Sequence, residues 1–353
     1  MDRPGPAALD AVKGCILAAG YGRRLAPITD HIPKPLLPVG HVPLVGYALR
    51  LLAHHGITGV TVNLHHLGRL VREALADGAA YGVRLAYSVE NEILGTGGGL
   101  KNMLEHLDTT FVVLNSDTII DVDLAAVVAA HRRSGALATM VLRRSPEPGP
   151  GAIGIDREGR IGRILGQSAA GAAPASPLGY NFAGVHVMEP RFLEYLPPGV
   201  PTCLVRYGYL KALHNREPLT GVVVDGYWQD AGTPASYYQA NVDALADAMP
   251  LAHVDPLAGY ALSPRHSVAT AVRMGNDVEL GDQTRLGPPL VVGDGCRLGH
   301  RAQVGPLAVL GKKVLVGKEA TVSHSVLLDG AKVEPGAVVV RRLVGRRAVL
   351  ALD

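Results

Sequence analysis

The chain has 353 residues, of which 48% are hydrophobic and 18% are charged, and its formal net charge is +3. A chain of this length is expected to form about two domains, and this composition excludes a largely disordered protein. The small net charge and the lack of a long basic run give no indication of nucleic-acid binding. No apolar run reaches the roughly 18 residues that a membrane-spanning helix needs.

Residues 1–12 lack the apolar segment that a secretory signal requires, so we expect a cytoplasmic protein. Three cysteines, Cys15, Cys203 and Cys296, lie far apart and show no C-x-x-C spacing for zinc or redox chemistry. We expect all three to be reduced thiols in the core.

Short apolar runs alternate with amphipathic stretches between Gly14 and about Val224. This alternation is typical of an α/β domain in which helices cover a sheet. The sequence predicts strands at 14–19, 57–63, 83–87, 111–114 and 137–142. It predicts helices at 43–56, 68–76, 98–106, 124–134 and 234–248. Two stretches rich in Ala, Pro, Gly and Ser, 145–151 and 166–179, are predicted to be exposed loops.

A glycine-rich loop, LAAGYGRRLAPIT, follows the first predicted strand, and Lys34 stands between two prolines soon after it. Glycines allow backbone N–H groups to approach phosphate oxygens closely, so this loop predicts a phosphate-binding site. It lacks the third glycine of the dinucleotide-binding fingerprint and the G-K-[ST] of the Walker loop. A simple glycine turn with solvated arginines is the alternative, which Arg24 and Lys34 make the weaker interpretation.

Two further segments carry polar or glycine residues at predicted element ends. Asp117 follows the apolar run 111–114, and ligands of open α/β sheets bind beyond the carboxyl ends of strands, so Asp117 is placed to hold a cation. The segment 90–100 begins a predicted helix with four glycines, and its backbone can lie against a flat base or bind phosphate. The alternative is a plain strand-to-helix connection in which Glu90 and Glu92 are solvated.

The second half of the chain contains a repeat. Residues 249–264 lose periodicity and carry three prolines, after which an aliphatic residue recurs at every sixth position. The ten positions are Met274, Leu280, Leu286, Val292, Leu298, Val304, Leu310, Val316, Val322 and Leu328. A hexapeptide repeat predicts a parallel β-helix, here of a little over three coils. The predicted organisation is an N-terminal tail (1–12), an α/β domain (13–248), a linker (249–272) and a β-helix (273–353).

The first loop, read as G-x-G-x-R-L-x-P-I-T followed by P-K-P-L, resembles the sugar-1-phosphate nucleotidyltransferase family, which includes mannose-1-phosphate guanylyltransferases and glucose-1-phosphate thymidylyltransferases. The resemblance implies a Rossmann-like, mixed and mainly parallel sheet followed by a left-handed parallel β-helix. It also implies the reaction of an NTP with a sugar-1-phosphate to give an NDP-sugar and pyrophosphate.

The same resemblance implies roles for individual residues. The implied catalytic residues are Arg24, Lys34 and Asp117, and the implied nucleotide-binding residues are Ala19, Gly20, Gly22, Gly95, Thr96 and Gly97. The stretch 228–234 is similar to the family's W-x-D-x-G-T-P element, which makes Asp230 a second Mg²⁺ ligand beside Asp117. Its alternative role as a helix cap falls to Thr233, which precedes Pro234. Asn181 and Gly184 lie in a stretch similar to the sugar-binding strand, although an inward glycine at a bulge is an equally common explanation.

One departure from the family pattern affects the sugar phosphate. The family usually has E-K-P, whose lysine grips this phosphate, where this chain reads ILGQS at 164–168. Arg163, Arg206 or Lys211 are possible replacements. The missing lysine also leaves open a non-catalytic regulatory subunit of the same superfamily. A β-helix that transfers acyl groups is a third hypothesis, which the shortness of the repeat opposes, and we expect His300 and His324 to be structural.

The choice of nucleotide rests on small similarities. The segments 114–117 and 94–96 resemble mannose-1-phosphate guanylyltransferases, which also carry the β-helix, whereas TGGG at 96–99 resembles N-acetylmuramate-1-phosphate uridylyltransferases, which generally lack it. We expect GTP with mannose-1-phosphate or a related sugar phosphate as substrates, Mg²⁺ as cofactor, and a homo-oligomer as the assembly.

Overall fold

The computed structural model describes residue 9 and residues 11–145, 152–169, 179–262 and 271–352. Three parts of the predicted organisation lie mostly outside these residues. They are the N-terminal tail, the loops 145–151 and 166–179, and the second half of the linker. The chain divides into two compact units. The first contains the described residues up to Gly20 and Val45–Trp228, and the second contains Tyr21–Leu44 and the described residues from Gln229 onward. The predicted boundary at 248 falls inside the second unit and stays a prediction.

The elements up to residue 245 follow the predicted alternation. The strands are β1 (Lys13–Leu17), β2 (Pro38–Val39), β3 (Val42–Pro43), β4 (Gly59–Leu64), β5 (Arg84–Val89), β6 (Phe111–Asn115), β7 (Thr118–Ile120), β8 (Ala138–Arg144), β9 (Ile153–Ile155), β10 (Ile161–Ile164), β11 (Gln167–Ser168), β12 (Tyr180–Met188), β13 (Leu219–Val223) and β14 (Trp228–Asp230). The α-helices are α1 (Leu44–His54), α2 (Gly68–Leu75), α3 (Gly95–Asn102), α4 (Leu124–Ser134), α5 (Leu210–His214) and α6 (Pro234–Leu245). A π-helix spans Leu204–Tyr209 and leads directly into α5.

The first unit is built on one mixed sheet, which confirms the expected fold class. Strands β5, β4, β1 and β6 are parallel neighbours, and β12 then pairs antiparallel with β6. Beyond β12 the sheet continues through β8 and its parallel partner β13, and through β9, β10 and β11. Fully buried side chains such as Phe111, Phe192 and Tyr209 form the apolar core of this unit.

Helix α4 shows how well a strong local pattern locates an element, because its bounds are those predicted. Asp123 caps its start by accepting a hydrogen bond from the Ala126 N–H at 3.0 Å, and Gly135 ends it in the left-handed conformation. The predicted loop over 166–179 is wrong at its beginning. Ile164 pairs with Gln167, so that β10 and β11 form a hairpin whose two turn residues are Leu165 and Gly166.

The second unit contains the β-helix. Its strands are β15 (Ala261–Leu262), β16 (Val272–Met274), β17 (Glu279–Leu280), β18 (Arg285–Leu286), β19 (Leu290–Val292), β20 (Arg297–Leu298), β21 (Gln303–Val304), β22 (Ala308–Leu310), β23 (Leu315–Val316), β24 (Thr321–Ser323), β25 (Val326–Leu327), β26 (Lys332–Val333), β27 (Val338–Val340), β28 (Arg342–Val344) and β29 (Val349–Ala351). Strands β16–β28 stack into three parallel sheets around a core of small and aliphatic side chains, as expected for a left-handed β-helix.

The β-helix has four coils from β16 to β27, whereas the sequence predicts a little over three, because the repeat changes phase. Pairing strands lie 18 residues apart up to Gln303 and Thr321, but 17 apart from Val309 and Val326 onward. Leu327, rather than the predicted Leu328, therefore stacks beside Leu310. The last coil continues the repeat one residue out of phase, which hides it from a strict six-residue count.

The prediction that all three cysteines lie in the core is wrong for one of them. Cys15 and Cys296 are buried, whereas Cys203 is exposed at the residue before the π-helix. Burial raises the pKa of both Cys15 and Cys296, which keeps these thiols protonated and unreactive. Within the described parts of the chain, no helix is long and apolar enough to cross a membrane.

Two histidines of the first unit are buried within polar contacts. His186 stacks on Phe182 and its Nδ1 lies 2.8 Å from the Tyr209 hydroxyl, and burial lowers its pKa to about 3. His131 lies between the Thr139 hydroxyl and the Glu189 carboxylate, at 2.8 and 3.0 Å. Burial is also the main cause that lowers the pKa of His131. Both side chains are therefore uncharged in the folded protein near neutral pH.

His186 should make the first unit less stable in acid. Its pKa is about 3 in the folded protein and 6.5 in a model peptide, so between these values the unfolded chain binds the extra proton. Stability is full above about pH 6.5 and falls as the pH drops, by about 2 kcal/mol between about pH 7 and about pH 5. In His186→Gln, this loss of stability on acidification should be absent. Urea unfolding followed by the fluorescence of Trp228, the single tryptophan of the chain, measures it. His131 is present in both proteins, so an equal loss in both would show that His186 does not cause the effect.

Candidate functional site

Three parallel strands of the first unit end side by side. Leu17 in β1 pairs with Asn63 in β4 and with Asn115 in β6, so the residues after these strands share one edge of the sheet. The Ser116 N–H donates to the Leu17 carbonyl at 3.1 Å and ties the β6 end to the β1 end. Of the predicted residues, the structure thus brings Ala19, Gly20 and Asp117 to this edge. Ala19 is buried, Asp117 is half-buried and Gly20 is exposed.

The predicted base-binding segment packs against the protein's own backbone. Helix α3 begins at Gly95, three residues before the predicted start at 98, and its first turn lies along residues 200–204. The Gly97 N–H donates to the Thr202 carbonyl at 2.8 Å, and Thr96 Oγ1 accepts from the Leu204 N–H at 2.9 Å. A Cβ at Gly98 would lie 2.6 Å from the Val200 carbonyl oxygen. This close packing explains the glycines without a ligand, and binding of a base by Gly95, Thr96 and Gly97 stays a prediction.

A buried polar group lies behind this segment and was not expected from the sequence. Glu90 is only 3% exposed, so the interpretation that leaves it solvated is wrong, whereas Glu92 is exposed. The Glu90 carboxylate accepts from Asn63 Nδ2 at 2.6 Å and from the Leu94 N–H at 2.8 Å, and Asn63 Oδ1 accepts from the Ala18 N–H at 2.6 Å. The sequence signals are an asparagine within an apolar strand and an acidic residue at the end of the next strand.

The predicted sugar-binding strand contains a bulge. The register of β12 on β8 shifts between Phe182 and His186, and Gly184 lies within the shift at φ +88°. A Cβ there would lie 2.4 Å from Thr118 Oγ1, so Thr118 takes the space that the glycine leaves. Asn181 is exposed, and its amide nitrogen lies 3.5 Å from Ser145 Oγ. The close approach of Thr118 is a structural reason for glycine at this position. Sugar binding by Asn181 and Gly184 stays a prediction.

Trp228 is held in place within the first unit by two contacts. Its indole N–H donates to the Ala183 carbonyl at 3.0 Å, and the Arg143 guanidinium lies over its ring at 5.7 Å from the centroid. Arg143 also donates to the Gly226 carbonyl. These contacts fix the start of the W-x-D-x-G-T-P element, from which Asp230 follows.

The glycine loop of the second unit folds back on itself. Gly22 has φ +66°, and a Cβ there would lie 2.9 Å from Thr29 Cγ2 and 3.0 Å from Lys34 Cβ. Thr29 Oγ1 donates to the Gly22 carbonyl at 3.0 Å. Lys34 lies in a short 3-10 turn and is only 8% exposed. The glycine, threonine and lysine of the motif therefore pack together, which gives them a shared structural reason to occur as one sequence pattern.

Asp230 and Arg24 both lie close to Gly232 in the same unit. A Cβ at Gly232 would meet Arg24 Nη2 at 2.5 Å and Asp230 Oδ1 at 2.7 Å. Thr233 caps α6 by accepting from the Ser236 N–H at 3.1 Å, and Ser236 Oγ accepts from the Thr233 N–H at 3.0 Å. The predicted cap is confirmed, and the cap does not use Asp230. Gly232, which is not among the predicted site residues, provides the space for both predicted functional side chains.

Helix α6 also holds the segment that carries the loop. The Tyr237 hydroxyl donates to the Pro38 carbonyl, and Asn241 Oδ1 accepts from the Gly40 N–H at 3.1 Å. Asn241 is fully buried, so these bonds are shielded from water. Residues 21–44 consequently belong to the second unit, although they precede most of the sheet in sequence. Gly22, Arg24, Lys34 and Asp230 are the predicted site residues that this unit contains.

The segment 164–168, where the family usually has E-K-P, contains a tight turn in the first unit. Leu165 and Gly166, between β10 and β11, have φ values of +49° and +81°. Arg163 lies in β10 and is half-buried, while Arg206 in the π-helix and Lys211 in α5 are exposed. Helix α5 packs against β10 and β11, which places all three candidate replacements on neighbouring elements.

The two carboxylates that are predicted to bind metal suit a hard cation that takes few of its ligands from the protein. Among the residues that the structure describes, no three His, Cys, Asp or Glu side chains cluster as a metal site. Mg²⁺ is commonly held by one or two carboxylates and completes its coordination with phosphate oxygens and water. The carboxylates of Asp117 and Asp230 are ligands of the type that this mode uses, and binding of Mg²⁺ by the two together stays a prediction.

Most of the chain matches a known protein family. Residues 13–247 match the model of the nucleotidyl transferase family. A UTP–glucose-1-phosphate uridylyltransferase of Synechocystis is 34% identical over 65% of this chain and 62% of its own length. A mannose-1-phosphate guanyltransferase of Yarrowia lipolytica is 32% identical over 64% of this chain and 62% of its own length. The chain thus spans less than two thirds of the length of these relatives.

A solved structure agrees with the fold. A protein of Bacillus anthracis described as a glucose-1-phosphate thymidylyltransferase, crystallised with sucrose, superposes with a TM-score of 0.55 at 27% identity. The superposition covers 65% of this chain and 94% of that one. The match to the family model extends over the glycine loop, both aspartates and the capped helix α6. The chain therefore belongs to the nucleotidyl transferase family, whose members typically use a divalent metal.

Proposed function

We propose that this protein transfers a nucleotidyl group from an NTP to a sugar-1-phosphate and releases pyrophosphate. The observation that carries the proposal is the family match over residues 13–247, because it contains every residue assigned above to phosphate or metal. The packing of Gly22 with Thr29 and Lys34 supports it, since these residues form one local structure rather than separate matches to a motif.

The chemistry is an in-line attack of the sugar phosphate oxygen on the α-phosphorus of the NTP. The attacking phosphate monoester has a second pKa of about 6 and is already largely ionised at neutral pH, so no general base is required. Catalysis then depends on positioning the two phosphates and on neutralising their charge.

This chain's own residues divide that task. Backbone N–H groups of Ala19, Gly20 and Gly22 bind the NTP phosphates, and Arg24 stabilises the charge of the departing pyrophosphate. Lys34 neutralises the reacting phosphates. Gly95, Thr96 and Gly97 bind the base, and Asn181 and Gly184 bind the sugar. Gly232 supports this arrangement by leaving space for the Arg24 and Asp230 side chains.

Asp117 and Asp230 are the residues that would hold Mg²⁺. Bound there, the cation would neutralise phosphate charge and orient the phosphates. Both residues are half-buried, which limits competition from bulk water.

We further propose GTP and mannose-1-phosphate, or a related hexose or heptose phosphate, as the substrates. The similarity to a mannose-1-phosphate guanyltransferase supports this choice, and the similarity to a glucose-1-phosphate uridylyltransferase supports UTP as the alternative. A homo-oligomer in the cytoplasm is the expected form, with the β-helix as an assembly surface.

Removal of either carboxylate should abolish most activity. Asp117→Asn and Asp230→Asn should each lower kcat by about a hundredfold or more, because each loses charge at the proposed metal site while its shape is kept. Pyrophosphate release measures the rate, and circular dichroism and thermal unfolding check the fold. The exposed residues Asp108 and Asp282 provide matched controls as Asp→Asn variants. Wild-type turnover in either test variant would remove that aspartate from the metal site.

A methyl group at Gly232 should also reduce activity. Gly232→Ala places a Cβ against Arg24 Nη2 and Asp230 Oδ1 and must displace at least one of them, which should lower kcat/KM by about ten- to a hundredfold. Gly345→Ala in the same unit is the control, since its Cβ would approach no atom closer than 3.4 Å. Equal activity of the two variants would contradict a functional role for the Arg24 and Asp230 positions.

A matrix of the four NTPs against several sugar-1-phosphates tests the substrates. A site built for the donors and acceptors of one base leaves buried groups unpaired with another base, so preference should be sharp, with GTP favoured by about tenfold or more. Preference for UTP or dTTP by that margin would overturn the guanylyl assignment but not the reaction class. No pyrophosphate release with any pair would instead favour a regulatory subunit.

A further inference from the structure

A chain of three short hydrogen bonds crosses the interior of the first unit. It runs from the Ala18 N–H to Asn63 Oδ1 (2.6 Å), from Asn63 Nδ2 to Glu90 Oε1 (2.6 Å), and from the Leu94 N–H to Glu90 Oε2 (2.8 Å). Both ends are main-chain N–H groups and both middle members are side chains. This hydrogen-bond chain therefore links two backbone segments that are far apart in sequence.

The hydrogen-bond chain is shielded from water. Asn63 is 2% and Glu90 3% exposed. Gly99 in α3 packs directly on it, and a Cβ there would lie 2.5 Å from Glu90 Oε1 and 2.6 Å from Asn63 Nδ2. Buried polar groups without partners are costly, so the two side chains are held firmly in this arrangement.

The two linked segments are those assigned to the nucleotide. Ala18 directly precedes Ala19 and Gly20, which are assigned to phosphate. Leu94 directly precedes the segment 95–97, which is assigned to the base. Asn63 and Glu90 lie behind both segments. The distance between the segments consequently depends on the length of this hydrogen-bond chain.

We propose that Asn63 and Glu90 are positioning residues that set the spacing between the phosphate-binding and base-binding segments and so determine affinity for the NTP. The inference rests on the proposed nucleotidyl transfer. The two side chains act through the main chain at Ala18 and Leu94, on the NTP rather than on the sugar phosphate.

The pattern of donors and acceptors allows the two side chains to be exchanged as a pair. In Glu90→Gln, the new amide has only one acceptor oxygen. The Asn63 amide and the Leu94 N–H both need an acceptor there, so one of the two hydrogen bonds is lost. In Asn63→Asp, a carboxylate oxygen faces Glu90 Oε1, and the two like charges repel. The double variant restores every bond. Its carboxylate at position 63 would accept from the Ala18 N–H and from the amide at position 90, whose oxygen would accept from the Leu94 N–H.

The test compares NTP binding and steady-state kinetics in the wild type, Asn63→Asp, Glu90→Gln and the double variant. Each single variant should raise the Kd and KM for the NTP by about tenfold, a common effect of a lost buried hydrogen bond. The KM for the sugar-1-phosphate should stay within about twofold. The double variant should return the NTP values to within about threefold of wild type.

A second substitution tests the same spacing with both side chains intact. Gly99→Ala adds a methyl group against Glu90 and Asn63 and should raise the NTP KM as the single variants do, even if those fold poorly. Gly59→Ala is the control, since its Cβ would meet only Lys13 Cδ at 3.8 Å.

Several results would overturn the proposal. An unchanged NTP KM in Gly99→Ala, no recovery in the double variant, or a fall in kcat and thermal stability with both KM values unchanged would each show a purely structural role. A wild type that binds no NTP would overturn the proposed function itself, and this inference with it. A wild type that binds NTP beside single variants that bind equally well would overturn the inference alone.

Discussion

The register of β4, β1 and β6 is the constraint on which the candidate site of the first unit depends. Leu17 pairs with Asn63 on one side and with Asn115 on the other, so the Ala18 N–H reaches Asn63 and the Ser116 N–H reaches Leu17. A slip of one residue on either neighbour would turn its side chains to the other face of the sheet. Ala18 would then lose its buried acceptor, and Asp117 would leave the shared edge.

Three glycines leave space for side chains that are assigned to the candidate site or that lie behind it. Gly99 allows α3 to rest on the Glu90 carboxylate, Gly22 allows Thr29 and Lys34 to close around the loop, and Gly232 leaves space for Arg24 and Asp230. In each case a Cβ on the glycine would meet a polar or charged side chain of the protein. Packing within the protein is therefore one physical reason for the glycines of these motifs.

The sequence was most informative where a pattern repeats over many residues. Helix α4 and the parallel strands were located because apolar periodicity is strong there, and the β-helix because ten hexads agree. The start of α3 was misplaced because four glycines have low helix propensity, which packing on residues 200–204 overrides. Asn63 and Glu90 were missed because a single polar residue at a strand end carries no periodic signal, and the last coil because one deleted residue shifts the phase.

The turn at Leu165 and Gly166 lies where the family usually carries the lysine that grips the sugar phosphate. Both residues have positive φ, as in the tight two-residue hairpin turns in which glycine is favoured and a long side chain is strained. The segment 164–168, where the family usually has E-K-P, therefore crosses a tight hairpin turn. In the proposed reaction, another basic side chain would have to neutralise the charge of the sugar phosphate in place of that lysine. Arg163 in β10, Arg206 in the π-helix and Lys211 in α5 are the candidates, and they lie on neighbouring elements because α5 packs on both strands of this hairpin and directly follows the π-helix.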